Sequence, residues 1–164
     1  RDWSSDVCSS DLGDGILNVE FHSILQSTLN PIDGSYIEMI NHALDLIENS
    51  DYKAMVLGHQ GANFCAGANL NLILELCKNQ MWGELNMAIK VLQDTTQRIR
   101  FSKGPVVAAP FQLTLGGGVE LVQPAAHRVV AAETYMGLVE VGVGLIPGGG
   151  GNLRMILKIG RAHV

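Results

Sequence analysis

The stretch Ile16 to Phe21 alternates in character, with Leu17, Val19 and Phe21 on one side and Ile16, Asn18 and Glu20 on the other, which predicts a strand with one buried face. After the turn-forming NPIDGS the period changes, and Ile37, Ile40, Leu44 and Ile47 recur at helical spacing with Asn41, Asp45 and Glu48 between them. That pattern predicts an amphipathic helix. AMVLGHQ reads as a short apolar strand, and GANFCAGAN after it as a loop of small residues. A long helical segment then runs from Leu70 to Arg100, with Trp82, Leu85, Ile89, Leu92 and Ile99 on one face and Gly83 as the dividing point.

The apolar run PVVAAPFQLTL predicts one buried strand, followed by three glycines and a short helix around VELVQP that Pro124 brings to an end. HRVVAA and TYMGL read as further short strands. The glycine-rich VEVGVGLIPGGGG leads into NLRMILK, a helix for which Asn152 is the expected cap. Strands and helices alternate along the chain, with no internal repeat and no linker, so the pattern predicts a single α/β or mixed layered domain.

Composition narrows the partners. The chain has 164 residues, 47% of them hydrophobic and 16% charged, enough for one sizeable core. A formal net charge of −5 with no basic run argues against nucleic acid, and no stretch approaches the roughly 20 apolar residues of a membrane span. Cys8, Cys65 and Cys77 show neither paired metal spacing nor a disulfide framework, which predicts a reducing, cytoplasmic setting and no metal. The opening RDWSSDVCSSDL has no strand or helix periodicity and resembles a translated adaptor read; the closing GRAHV resembles the same kind of scar. The expected organisation is a non-native leader at 1–12, a partial domain at 13–158 and a non-native tail at 159–164, leaving Cys8 and His163 without functional weight.

Two small-residue loops follow two apolar strands and each opens a helix: CAGAN and LGGG. Backbone N–H groups at two helix starts lack intrahelical partners and favour negative charge, so two such donors can converge on one oxygen. Small side chains let an acyl oxygen approach that backbone closely. LGGG alone reads equally well as a tight strand-to-helix packing joint; with Glu120 and AGAN beside it the pattern becomes specific. Other candidates are weaker. His22, His42, His59 and His127 are scattered, with no nucleophile or metal spacing beside them, and Glu133 reads as a turn or surface residue. Cys65 reads as a small packing residue. Neither the GxSxG elbow of serine hydrolases nor the GxGxxG dinucleotide fingerprint is present.

The phrases NFCAGANL, TLGGGVEL and GLVEVGVGLIPGGGGNLR resemble the crotonase family, the enoyl-CoA hydratases and isomerases, from about Gly13 to Leu157. PVVAAPFQLTLGGGVE and the third phrase look like the hydratase part of bacterial bifunctional enzymes that also carry a 3-hydroxyacyl-CoA dehydrogenase. The resemblance implies a crotonase fold of repeated β-β-α units, truncated at both ends, and a trimer-based homo-oligomer. It implies an oxyanion hole from the N–H groups of Ala68 and Gly117, acid-base roles for Glu120 and Glu140, and a substrate-binding stretch of Ala66, Gly67, Asn69, Leu70 and Gly116. A coenzyme A thioester would be the substrate, with no prosthetic group. The implied reaction adds water to trans-2-enoyl-CoA in fatty-acid β-oxidation; Δ3,Δ2-enoyl-CoA isomerisation and an inactive fragment are the alternatives. Many isomerases of the family keep a carboxylate only at the site matching Glu140, so retention of both glutamates favours hydration. Two departures stand out: Asn69 replaces a frequent aspartate, and Val119 a frequent cysteine.

Overall fold

The computed structural model describes residues 7–23 and 26–162. Val7–Asp11 (β1) pairs antiparallel with Ile16–Phe21 (β2). Helix α1, Gly34–Asn49, leads to β3, Ala54–Gly58. Two helices follow, α2 at Leu70–Lys78 and α3 at Trp82–Arg100, and then β4 at Val106–Ala108 and β5 at Leu113–Leu115. The chain continues through α4 (Gly117–Val122), β6 (His127–Arg128), β7 (Tyr135–Gly137), a 3₁₀ turn (Glu140–Val143) and α5 (Gly151–Ala162). One sheet has the order β1-β2-β3-β4-β6, parallel from β2 onward, and β5 pairs with β7 in a second, parallel sheet.

The core lies where the predicted periodicities meet. Leu17, Val19 and Phe21 of β2 are buried against Tyr36, Ile40, Leu44 and Ile47 of α1, with Met55, Leu57, Val106 and Ala108 from the neighbouring strands. The Phe21 ring lies 4.1 Å from that of Tyr36 and meets Phe64 edge-on at 5.1 Å. Each such side chain contributes about 1.5–3 kcal/mol by leaving water. Truncating Ile40, wholly buried at the centre of α1, would cost about 2–5 kcal/mol. Asp33 caps α1 by accepting from the Tyr36 N–H.

Four local expectations are corrected. The unpatterned opening contributes β1, because the backbone ladder with β2 requires no side-chain alternation. The helical stretch 70–100 divides at Asn79–Met81 and not at Gly83, which sits inside the first turn of α3. The Gln80 N–H donates to the Cys77 carbonyl and the Met81 N–H to that of Leu76, with Gln80 at φ +55°, a Schellman closure that turns the chain out of α2. The run 105–115 makes two strands in different sheets: Pro110 supplies no N–H to a ladder, and Gln112 at φ +47° redirects the chain. Asn152 lies within α5, one residue past its start, and is not its cap.

Candidate active site

Parallel strands need crossover connections, and the two glycine-bearing connections meet at one place. Cys65 N–H donates to the Leu113 carbonyl at 3.0 Å, and Leu115 N–H to the Cys65 carbonyl at 2.8 Å, stitching the CAGAN loop along β5. The Ile32 N–H holds the Gly67 carbonyl and the Gly116 N–H reaches that of Gly137, each at 2.8 Å. Gly67 has φ +95°, and a Cβ there would lie 3.0 Å from the Leu115 carbonyl and 3.3 Å from the Gly117 nitrogen. A Cβ on Gly117 would lie 3.6 Å from the Ala68 nitrogen. The two loops therefore bring the Ala68 and Gly117 amides side by side, and among the described residues neither N–H donates to another protein group. Gly118 serves packing, since a Cβ there would lie 2.7 Å from the Cys65 carbonyl. The LGGG motif is thus both a packing joint and a wall of the site.

A cavity of about 560 Å³ opens at this junction. Ala66, Gly67, Ala68, Leu70, Gly116, Gly117, Glu120 and Glu140 all line it. Asn69 does not. Its side chain accepts from the Asn71 and Leu72 N–H groups at 3.1 and 3.3 Å and caps α2 at the edge of the lining stretch.

The two carboxylates enter the cavity from different elements. Helix α4 places Glu120 one turn beyond Gly117, where it is 2% exposed and its Oε1 accepts the Gly151 N–H at 2.8 Å. Glu140 opens the 3₁₀ turn beside Gly116; its Oε2 is buried without a hydrogen-bond partner. Burial raises the Glu140 carboxyl above its ordinary range, an effect opposed by the Glu140 and Val139 N–H groups and reinforced by the charge of Glu120. A carboxyl that holds its proton more tightly than an ordinary one, facing a second carboxyl in a largely apolar cavity, is suited to acid-base chemistry on a bound molecule.

The family described as Enoyl-CoA hydratase/isomerase matches residues 25–158. The chain belongs to that family. Proteins similar to it include one named probable 3-hydroxyacyl-CoA dehydrogenase from Bacillus subtilis, 47% identical over 154 residues, covering 93% of this chain and 19% of that protein. A putative fatty acid oxidation complex trifunctional enzyme from Rickettsia felis is 31% identical over 138 residues, covering 84% of this chain and again 19% of the relative. The chain thus spans about a fifth of the length of these relatives. Their names agree with the resemblance of the glycine-rich phrases to the hydratase part of multifunctional enzymes. The crystal structure of enoyl-CoA hydratase from Bacillus anthracis superimposes with a TM-score of 0.82 at 23% identity, over 93% of this chain and 58% of that one. The fold is the crotonase fold.

Other residues take their places around this family site. Ile73, Cys77, Leu85 and Ile89 supply apolar lining to the cavity; the stripe on α3 placed Leu85 and Ile89 on one helix face without showing that the face borders a cavity. Gly151, the donor to Glu120, carried no signal of its own. Cys65 is fully buried and its thiol is pushed up to about 12 by that burial, in keeping with packing rather than nucleophilic work. His59 stacks between Phe21 and Phe111, with ring centroids 5.5 and 6.0 Å away, and touches His22 edge-on. Glu133 sits at an exposed turn with φ +62°. Among the described residues no group of His, Cys, Asp or Glu is arranged to hold a metal ion, and no helix is long and apolar enough to cross a membrane.

Proposed function

We propose that the site hydrates trans-2-enoyl-CoA thioesters, as in fatty-acid β-oxidation, with the coenzyme A thioester as substrate and no prosthetic group. The observation that carries this reading is the pair of carboxylates, Glu120 and Glu140, in one cavity with two adjacent undonated amides. The thioester oxygen sits between the Ala68 and Gly117 N–H groups, which stabilise the enolate as negative charge reaches that oxygen; a single such donor is worth ~3–4 kcal/mol in comparable sites. Glu120, fixed by Gly151, takes a proton from water as its oxygen bonds to Cβ. Glu140, in its protonated form, delivers its proton to Cα. A proton passed from Glu120 to Glu140 then resets the pair, so the net addition is one water.

An isomerase requires only proton transfer between Cα and Cγ at one carboxylate, and nothing in that reaction uses a second acid fixed as firmly as Glu120. The reading also carries a trimer-based homo-oligomer. Val141, Ile146 and Ile156 are exposed at 78%, 78% and 68%, apolar surface of the kind that subunit contacts cover. A spectrophotometric assay of crotonyl-CoA, following loss of the enoyl-thioester absorbance, tests the activity. Turnover abolished by Glu140→Gln and by Glu120→Gln supports hydration. A Glu120→Gln protein that still turns over a 3-enoyl-CoA would favour isomerisation.

A further inference from the structure

A second cavity, about 480 Å³, shares only Gln93 with the first. Four cations line it: Arg100 at the end of α3, Arg128 in β6, and Arg154 and Lys158 one turn apart on α5. No carboxylate lines it, and among the described residues none of the four forms an ion pair. Three of the heads, those of Arg128, Arg154 and Lys158, are fixed by neutral acceptors. Arg128 Nη1 donates to the Gln123 and Ala125 carbonyls at 3.1 and 2.7 Å, and Lys158 Nζ to the Gln123 carbonyl at 3.0 Å. Arg154 donates to the Gly149 carbonyl at 2.7 Å and to Thr96 Oγ1 at 2.8 Å. Carbonyls orient these groups without cancelling their charge.

Two further observations mark the cavity as a binding site. Gln123 lines it at 5% exposure, yet among the described residues neither its Oε1 nor its Nε2 has a hydrogen-bond partner, an arrangement that leaves both atoms stripped of water without a replacement. The chain as a whole carries 11 Lys and Arg against 16 Asp and Glu, so four unpaired cations at one cavity run against its overall balance. Lys158 is held below its ordinary value by burial, then by Arg128, Arg100 and Arg154; Arg154 is lowered by burial and by Arg100, against an opposing effect of Glu120. Among the described residues no carboxylate is paired with any of the four.

We propose that this cavity binds a phosphate-type oxyanion outside the acyl cavity, with Arg100, Arg128, Arg154 and Lys158 supplying the charge and Gln123 a neutral amide donor. A phosphate carries about −1.5 to −2 charge at neutral pH and accepts hydrogen bonds on several sides, which suits donors arriving from three separate elements. A planar carboxylate satisfies fewer of them. Phe101, Leu153 and Leu157 give the same cavity an apolar wall, so an organic group esterified to the phosphate has a surface to rest on.

The test is calorimetric titration of the full chain with inorganic phosphate at low ionic strength, against sodium chloride of matched ionic strength. Saturable phosphate binding is expected, weakened at least tenfold by Lys158→Gln and by Arg100→Gln and unchanged by Lys78→Gln on α2. Arg100 makes no side-chain hydrogen bond among the described residues, so its variant tests the charge without removing a structural contact. Phenyl phosphate binding more tightly than phosphate would assign the source as a monoester; equal affinity would assign free phosphate. Absence of saturable heat, or equal affinities for the Arg100→Gln, Lys158→Gln and unsubstituted proteins, would overturn the site.

Discussion

The Gly151 N–H donates to Oε1 of Glu120 at 2.8 Å across 31 positions of sequence. Glu120 is set on a six-residue helix and Gly151 begins another, so the position of the carboxylate depends on the two helices together. A Cβ on Gly151 would fall 3.0 Å from Glu120 Oε1 and 2.8 Å from Leu138 Cδ2. Gly151→Ala is therefore expected to shift the carboxylate and to destabilise the fold by about 1–3 kcal/mol, and with it to lower kcat for crotonyl-CoA hydration. Denaturant unfolding and steady-state kinetics on the variant check both.

Glu140→Gln should separate activity from stability. Loss of a proton-handling group is expected to lower kcat by about 10²–10⁴-fold. Folding favours the protonated Glu140, because burial raises its carboxyl. Its stabilising contribution is present below the ordinary carboxylate range and is lost as pH rises through the raised value. The amide variant has no such loss, so its unfolding midpoint relative to the unsubstituted protein should rise with pH while its activity falls. A midpoint that drops along with activity at neutral pH would make Glu140 a structural residue instead.

His59 predicts an acid-side loss of stability. Burial, followed by the neighbouring His22, lowers it from 6.5 to about 4, with Glu20 opposing. The unfolded chain takes up this proton near 6.5 and the folded one only near 4, so the contribution is complete above 6.5 and is lost as pH falls between those values. His59→Phe should flatten the pH dependence of unfolding in that window, as measured by urea titrations at several pH values.

Gln80 holds the left-handed position of the closure after α2 with φ +55°. A glycine adopts that backbone without the Cβ conflict that costs other residues about 1–2 kcal/mol. Gln80→Gly is expected to raise stability by about 1 kcal/mol with little change in kcat, since Gln80 does not line the acyl cavity. Thermal unfolding and the hydration assay together check this.

Much of the fold was legible because its elements rest on neighbours two to four residues apart. The alternation of Leu17, Val19 and Phe21 and the spacing of Ile37, Ile40, Leu44 and Ile47 name their own buried faces. The small-residue loops were legible for a related reason: a missing Cβ is recorded in the residue type, and at Gly67 a Cβ would press on the Leu115 carbonyl and the Gly117 amide, at Gly117 on Ile32. The division of 105–115 between two sheets was not legible, because its cause at Gln112 is a backbone angle that glutamine seldom adopts.

By itself, then, the sequence determined the family, the α/β pattern, the two glutamates and the loops that flank them. Only the tertiary structure decided which distant groups share a volume. It set Gly151 against Glu120, turned the face that carries Leu85 and Ile89 toward a cavity, and gathered Arg100, Arg128, Arg154 and Lys158 around another in a chain with no basic run. Local periodicity follows from backbone geometry within a few residues, whereas these meetings depend on how strands cross over and helices pack, which no short window of sequence encodes.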